Sequence, residues 1–229
     1  MIRVIGVIGR KDTGKTGLIA NILKNLDGMS VATVKNSHMD IDVDSPDTDS
    51  YRLKQLADTS VFVTQKGSAF YYNRMNLKEI LAKLDCDLVF VEGFKEDLIE
   101  LNIPKILVTE GGRGAELKDN QTIMVIDDFK YDIDEVTAQV LEKAIVPTYN
   151  LNCGHCGYNC KGFANKLASG EVKWNKCVMS TALTLIVDGR TIPVNPFVSD
   201  IIKNTLKGIV RTLKGTENPE TISIKIEKK

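Results

Sequence analysis

The sequence predicts an α/β protein with a mainly parallel sheet, flanking helices and a small extra module at the C-terminal end. Three observations carry this. Short β-branched apolar runs, of the kind buried on both faces, recur through the first 150 residues. They alternate with segments whose apolar residues have helical spacing, the pattern of βαβ units. Past Pro147 the pattern stops and a cysteine-dense stretch begins.

The elements follow in order. Residues 2–8 (IRVIGVI) read as a buried strand and end in a glycine-rich turn. Thr16 to Leu26 places Leu18, Ile19, Ile22, Leu23 and Leu26 on one helical face. Ser30 to Val34 is a second strand. Residues 35–50, KNSHMDIDVDSPDTDS, lack apolar periodicity and are rich in acids, so they predict a long loop. A helix over Tyr51–Ala57, a strand over Val61–Thr64 and a helix over Leu77–Leu84 come next. Leu88–Val91, Ile106–Val108 and Ile123–Ile126 are further buried-type strands, and Ile133–Ile145 is an amphipathic helix. The domains are therefore 1–146, a cysteine module over 147–180, and a tail over 181–229. That tail reads as two short strands about an Asp188-Gly189 turn, then a helix from Pro196 to Leu213 with Phe197, Ile201, Ile202, Leu206, Ile209, Val210 and Leu213 on one face. The polar end after Gly215 is expected to be loose. There is no internal repeat.

The chain has 229 residues, 43% of them hydrophobic, enough for one α/β core and a smaller module. Thirty basic residues balance thirty acidic ones, so charge points to neither nucleic acid nor an acidic membrane surface. The opening MIRVIGVIGRKDTGK is too glycine-rich for a secretory h-region, and no apolar run reaches the roughly 18 residues of a membrane span. A cytoplasmic location is expected. There, five cysteines are better read as a metal site than as disulfides.

Gly9-Arg10-Lys11-Asp12-Thr13-Gly14-Lys15-Thr16 fits G-x-x-x-x-G-K-[ST], between a buried strand and a helix start. Gly9 and Gly14 let successive amides turn inward to cradle a phosphate at a helix N-terminus, with Lys11, Asp12, Thr13 and Gly17 completing the loop. Lys15 would neutralise β/γ-phosphate charge, and the Thr16 hydroxyl would ligate Mg²⁺. Glu92, after the apolar run LVFV, is placed to hold that ion or position a water. The alternative is a plain strand-end acid. In the loop, Lys35, His38 and Asp49 are candidates for the substrate or metal, although a lone histidine is more often structural and runs of Asp (Asp40, Asp44, Asp47) are usually just hydrated.

VIGRKDTGKT, TVKNSHMDIDVDSPDTDSYR and LVFVEGFK, in that order over residues 2–110, resemble the molybdopterin-guanine dinucleotide biosynthesis protein B (MobB) family. The resemblance implies a P-loop NTPase-type sheet, GTP binding, at most weak GTPase activity, a homodimer, and a role in attaching GMP to molybdopterin beside a nucleotidyltransferase or a molybdenum or tungsten enzyme. It carries phosphate binding to residues 12–16 and the metal-side role to Glu92. Met39 stands where the family has a second His, and Asp58 where it usually has Gly. No Asn-Lys-x-Asp motif is present, so guanine preference comes from the resemblance alone.

In NCGHCGYNCKGFANKLASGEVKWNKC the spacing is Cys153-x2-Cys156-x3-Cys160-x16-Cys177. Such thiolates must be held apart by folding or share a soft cation. Gly154 and Gly157 allow a tight wrap, and Lys161–Ser169, ended by Gly170, predicts a helix that returns Cys177 to the others. Zn²⁺ and a [4Fe–4S] cluster both take four cysteines. Structural zinc sites usually pair two C-x2-C knuckles, and one is present here, which favours the cluster and leaves zinc as the alternative. The stretch also resembles the four-cysteine [4Fe–4S] domain of Rnf-complex B subunits and the corrinoid iron–sulfur protein, with one residue fewer between Cys156 and Cys160. His155 is read as a surface residue and Cys86 as an ordinary thiol. The leading expectation is a GTP-binding accessory protein with an iron–sulfur module for docking or redox sensing. The alternative is an NTP-hydrolysing metallochaperone or redox-coupled NTPase.

Overall fold

A computed structural model describes residues 2–226 except 38, 40, 182, 184, 189, 193 and 195. The elements are β1 (Arg3–Ile8), α1 (Lys15–Lys24), β2 (Val31–Lys35), α2 (Asp49–Lys54), β3 (Thr59–Thr64), β4 (Gly67–Tyr72), α3 (Leu77–Leu81), β5 (Leu88–Glu92), α4 (Lys95–Glu100), β6 (Lys105–Thr109), β7 (Thr122–Asp127), α5 (Ile133–Lys143), α6 (Cys160–Ala168), β8 (Leu185–Val187), β9 (Arg190–Ile192) and α7 (Pro196–Val210). Five strands form one sheet in the order β2-β5-β1-β6-β7, and every neighbouring pair is parallel. This is the doubly covered α/β architecture of P-loop NTPases.

The period-2 alternation of strand side chains sorts the core. From β1, Ile5 and Val7 join Leu18 and Ile22 of α1 and Val136 and Val140 of α5 on one face. Val4 and Ile8 join Leu77, Leu81 and Leu98 of α3 and α4 on the other. On that second face β1 carries Gly6, where a Cβ would lie 2.5 Å from Leu98 Cδ1 and 3.0 Å from Lys105 Cβ. The missing side chain makes room for the stem of Lys105, a fully buried lysine at the start of β6. Its ammonium is held by Asp119 Oδ2 at 2.8 Å and donates to Gln121 Oε1 at 3.1 Å. Burial pushes its pKa down, and Asp119 opposes that.

One expectation is corrected. The Val61–Thr64 strand lies outside the parallel sheet. It is part of β3, which pairs antiparallel with β4 in a separate hairpin. The turn at 64–67, closed by bonds from the Lys66 and Gly67 amides to Thr64 Oγ1, joins the two strands at short range. The last helix forms where it was expected, over Pro196–Val210. α7 is amphipathic as expected, yet its apolar side faces solvent: Phe197 is 74% exposed and Ile209 58%. Gly189 of the expected turn lies outside the described residues, while Asp188 beside it is left-handed (φ 49).

The cysteine module docks at the N-terminal end of the central strand. Ile145 leaves α5 and bridges Val4, whose amide donates to Ile145 O at 2.7 Å. Ile145 then packs with Phe163, Leu167, Val172 and Met179 in a satellite core. The joint is also tied by Asn102 Nδ2, which donates to Asn150 Oδ1 at 2.5 Å.

Candidate functional site

The phosphate loop opens where β1 ends. Asp12 and Gly14 are left-handed (φ 63 and 88), and at Gly9 a Cβ would meet the Val108 carbonyl oxygen at 2.2 Å. The buried Thr13 donates its hydroxyl to Arg10 O at 3.0 Å, which fixes the loop's curl. The loop is braced from outside: Arg10 pairs with Glu116, and Arg113 Nη2 donates to Lys11 O at 3.2 Å. A cleft of about 660 Å³ lies over it, lined by Gly9, Lys11, Asp12, Gly14, Lys15, Thr16, Gly17, Lys35 and Glu92 of the expected residues.

The walls come from parallel register. Lys35 and Glu92, the last residues of β2 and β5, are partners across the sheet. Glu92 is 8% exposed. Thr16 Oγ1 donates to Glu92 Oε2 at 2.8 Å. Lys35 Nζ lies 3.1 Å from Glu92 Oε1 and donates to Thr16 Oγ1 at 2.9 Å. Lys15 turns back on the loop, donating to Arg10 O at 2.5 Å. Burial pushes the Lys15 ammonium below its ordinary pKa; Glu92 works against this and Lys35 with it. The chain leaves Glu92 through left-handed Gly93 and Phe94 (φ 86 and 51) into α4.

Asp49 does not line this cleft. It sits in the first turn of α2, 3.6 Å from Arg52. His38 and Asp40 lie outside the described residues. Sequence reasoning missed Asn36, Ser37, Met39 and Gly93, which also line the cleft. It also missed Phe129, whose ring packs on the loop so closely that a Cβ at Gly14 would meet it at 2.2 Å and one at Gly17 at 2.9 Å. The pair of left-handed residues Asp128 and Phe129 that aims this ring leaves no motif in the sequence.

At the other end of β1, α6 starts from the Asn159 cap, whose side chain accepts from the Gly162 amide. Gly154 and Gly157 take φ of 73 and 84, and Asn152 N donates to Cys160 Sγ at 3.3 Å. Cys177 is buried under Trp174 and Phe163, which meet edge-to-face at 6.0 Å. Burial pushes the Cys177 thiol up to about 12, with Cys156, Cys160 and Cys153 adding to the rise, and Cys153 and Cys156 pack against the same small core as Cys177. Among the described residues, no three His, Cys, Asp or Glu side chains converge as donors to a single ion. His155 is exposed, as expected, and Cys86 is an unpaired thiol donating to Leu88 O at 3.6 Å.

A parallel sheet whose central strand runs into such a loop, with a hydroxyl and a strand-end carboxylate beside it, defines a P-loop α/β protein. Residues 4–128 match the family described as "Molybdopterin guanine dinucleotide synthesis protein B", and the chain belongs to that family. Residues 150–179 match a second family, described as "Putative Fe-S cluster". A Methanocaldococcus jannaschii protein named "Putative molybdopterin-guanine dinucleotide biosynthesis adapter protein" is 47% identical over 99% of this chain and 98% of its own length. The Escherichia coli molybdopterin-guanine dinucleotide biosynthesis adapter protein is 29% identical over 58% of this chain and 83% of its own. Among solved structures, one described as molybdopterin-guanine biosynthesis protein B is similar at a TM-score of 0.46 and 22% identity, covering 60% of this chain and 97% of that one. Bacillus subtilis MobB gives 0.44 and 17%, over 61% and 96%. No helix among the described residues is long and apolar enough to cross a membrane.

Proposed function

We propose that this protein is an adapter in molybdopterin guanine dinucleotide synthesis that binds GTP–Mg²⁺ at the phosphate loop and holds a [4Fe–4S] cluster on Cys153, Cys156, Cys160 and Cys177. The observation that carries the reading is the Thr16–Glu92 contact at the mouth of the loop, 2.8 Å long, which puts a hydroxyl and a carboxylate together where a phosphate-bound cation is needed. The loop amides and Lys15 bind the phosphates, and Thr16 and Glu92 would hold Mg²⁺, which supplies charge neutralisation at the β- and γ-phosphates. Turnover is slow at most, and the protein presents bound nucleotide to a nucleotidyltransferase or a molybdenum or tungsten enzyme.

The donor chemistry of the cysteine set fits a metal centre. Cys153, Cys156 and Cys177 belong to one small apolar core and Cys160 opens α6. Their side chains do not converge on one point, and a shared soft cation would offset the cost of ionising them together. The cluster would supply a soft polycation and, if it cycles, a one-electron centre. The module docks at Val4 and the loop opens at Gly9, which are separated by roughly 16 Å of strand at the usual rise per residue. That separation supports a docking or sensing role for the cluster rather than contact with nucleotide. The exposed apolar residues of the β3–β4 hairpin, Phe62, Val63 and Phe70, support a homodimer.

The test is a guanylyl-transfer assay with molybdopterin and the partner nucleotidyltransferase, with and without this protein loaded with GTP or ATP. The reading predicts stimulation with GTP and none with Lys15→Ala. No stimulation by the wild type would refute the adapter role.

A further inference from the structure

Glu92 is a nearly buried carboxylate, and a buried carboxylate needs a counter-charge. Lys15, the cation of the phosphate motif, is turned away onto Arg10 O. The ammonium beside Glu92 belongs to Lys35. It touches both groups that would hold the metal, Glu92 Oε1 at 3.1 Å and Thr16 Oγ1 at 2.9 Å. The contact is built into the fold, because parallel register places Lys35 opposite Glu92. Yet β2 is an edge strand and the Lys35 side chain is 59% exposed, so its stem is free to swing.

The geometry points to Lys35 as a resident counter-cation, which holds the divalent-ion position while the site is empty and moves onto the terminal phosphate of an entering nucleoside triphosphate. This rests on the phosphate-loop reading above and deepens it. Two consequences follow from one ammonium and one metal ion sharing the same oxygen donors. Divalent ion alone binds the empty site poorly, since it must displace Lys35. Nucleotide binds without divalent ion, since Lys35 stays to neutralise the phosphate and Glu92 together.

The test compares wild type, Lys35→Met and Lys35→Arg in the full-length protein, with thermal unfolding confirming that each is folded. In the first arm Mn²⁺ alone is titrated and followed by electron paramagnetic resonance. Lys35→Met should bind Mn²⁺ about tenfold more tightly than wild type, a difference of about 1.4 kcal/mol, and Lys35→Arg should resemble wild type. In the second arm GTP is titrated with Mg²⁺ and with EDTA. Removing Mg²⁺ should weaken wild type by less than about tenfold and Lys35→Met by about a hundredfold. Equal Mn²⁺ affinities, no measurable Mn²⁺ binding by Lys35→Met, or the same Mg²⁺ dependence in both proteins overturns the proposal. Absence of GTP binding by every protein in both media, with the Mn²⁺ difference intact, overturns the nucleotide reading instead and leaves the competition for Glu92 standing.

Discussion

Glu92 shows how one residue's surroundings set its chemistry. Alone it is a strand-end acid; beside Thr16 and Lys35, and nearly buried, it becomes a candidate cation ligand. Glu92→Gln can still accept from Thr16, so folding stability should change little, but Mg²⁺-supported GTP affinity should fall about threefold, less than removal of Mg²⁺ costs the wild type, because the ion loses a charged ligand. Titration calorimetry at fixed Mg²⁺ reads this. Cys177 carries a second residue-scale prediction. In the metal-free protein its folded pKa, about 12, lies above the ordinary value of 9.0. The folded state therefore keeps a proton that the unfolded chain releases. The stability this contributes is whole below about pH 9 and is lost as pH rises toward about 12. Anaerobic urea unfolding of metal-free protein at about pH 8 and about pH 10 should show that loss, and Cys177→Ala should show a smaller one.

At the scale of elements, most strands and helices of the parallel-sheet half were legible because each carries its own signal, but the short α4 (Lys95–Glu100) was not. β1, β5 and β6 each contain an apolar run, at residues 4–8, 88–91 and 106–108, and α1 and α5 repeat apolar residues every three to four positions. The β3–β4 hairpin was only half legible, because an exposed two-stranded unit has no buried face to impose a pattern. The ring of Phe129 was not legible at all. Its place depends on Asp127 and Asp128 accepting from Thr109, Gly112 and Gly111, contacts made only after folding. The packing of β7's exit on α1 is testable by a double-mutant cycle. Gly17→Ala should be poorly tolerated in the wild type, where the new Cβ meets Phe129 at 2.9 Å, and should stabilise α1 by up to about 1 kcal/mol once Phe129→Ala removes the ring. At the opposite end of β7, Asp119→Ala would leave Lys105 buried without its carboxylate and should cost about 3 kcal/mol in urea unfolding.

For the whole molecule, the relation between the loop residues and the cysteines was not legible in the sequence. Nothing in the cysteine spacing says that Ile145 will bridge Val4 and seat the module at the far end of the strand that feeds the phosphate loop. Sites this far apart with no shared contact should be nearly additive. Cys153→Ala should therefore abolish the visible absorbance of anaerobically purified protein while leaving GTP affinity within about 0.5 kcal/mol. Lys15→Ala should do the reverse, because Lys15 lines the cleft and takes no part in the cysteine pocket. The most direct test of the central claim is titration calorimetry of GTP with Mg²⁺ into the full-length, metal-loaded protein and its Lys15→Ala variant. Saturable one-site binding by the first and its loss in the second is the predicted result; no heat of binding in either would contradict the assignment of the phosphate loop.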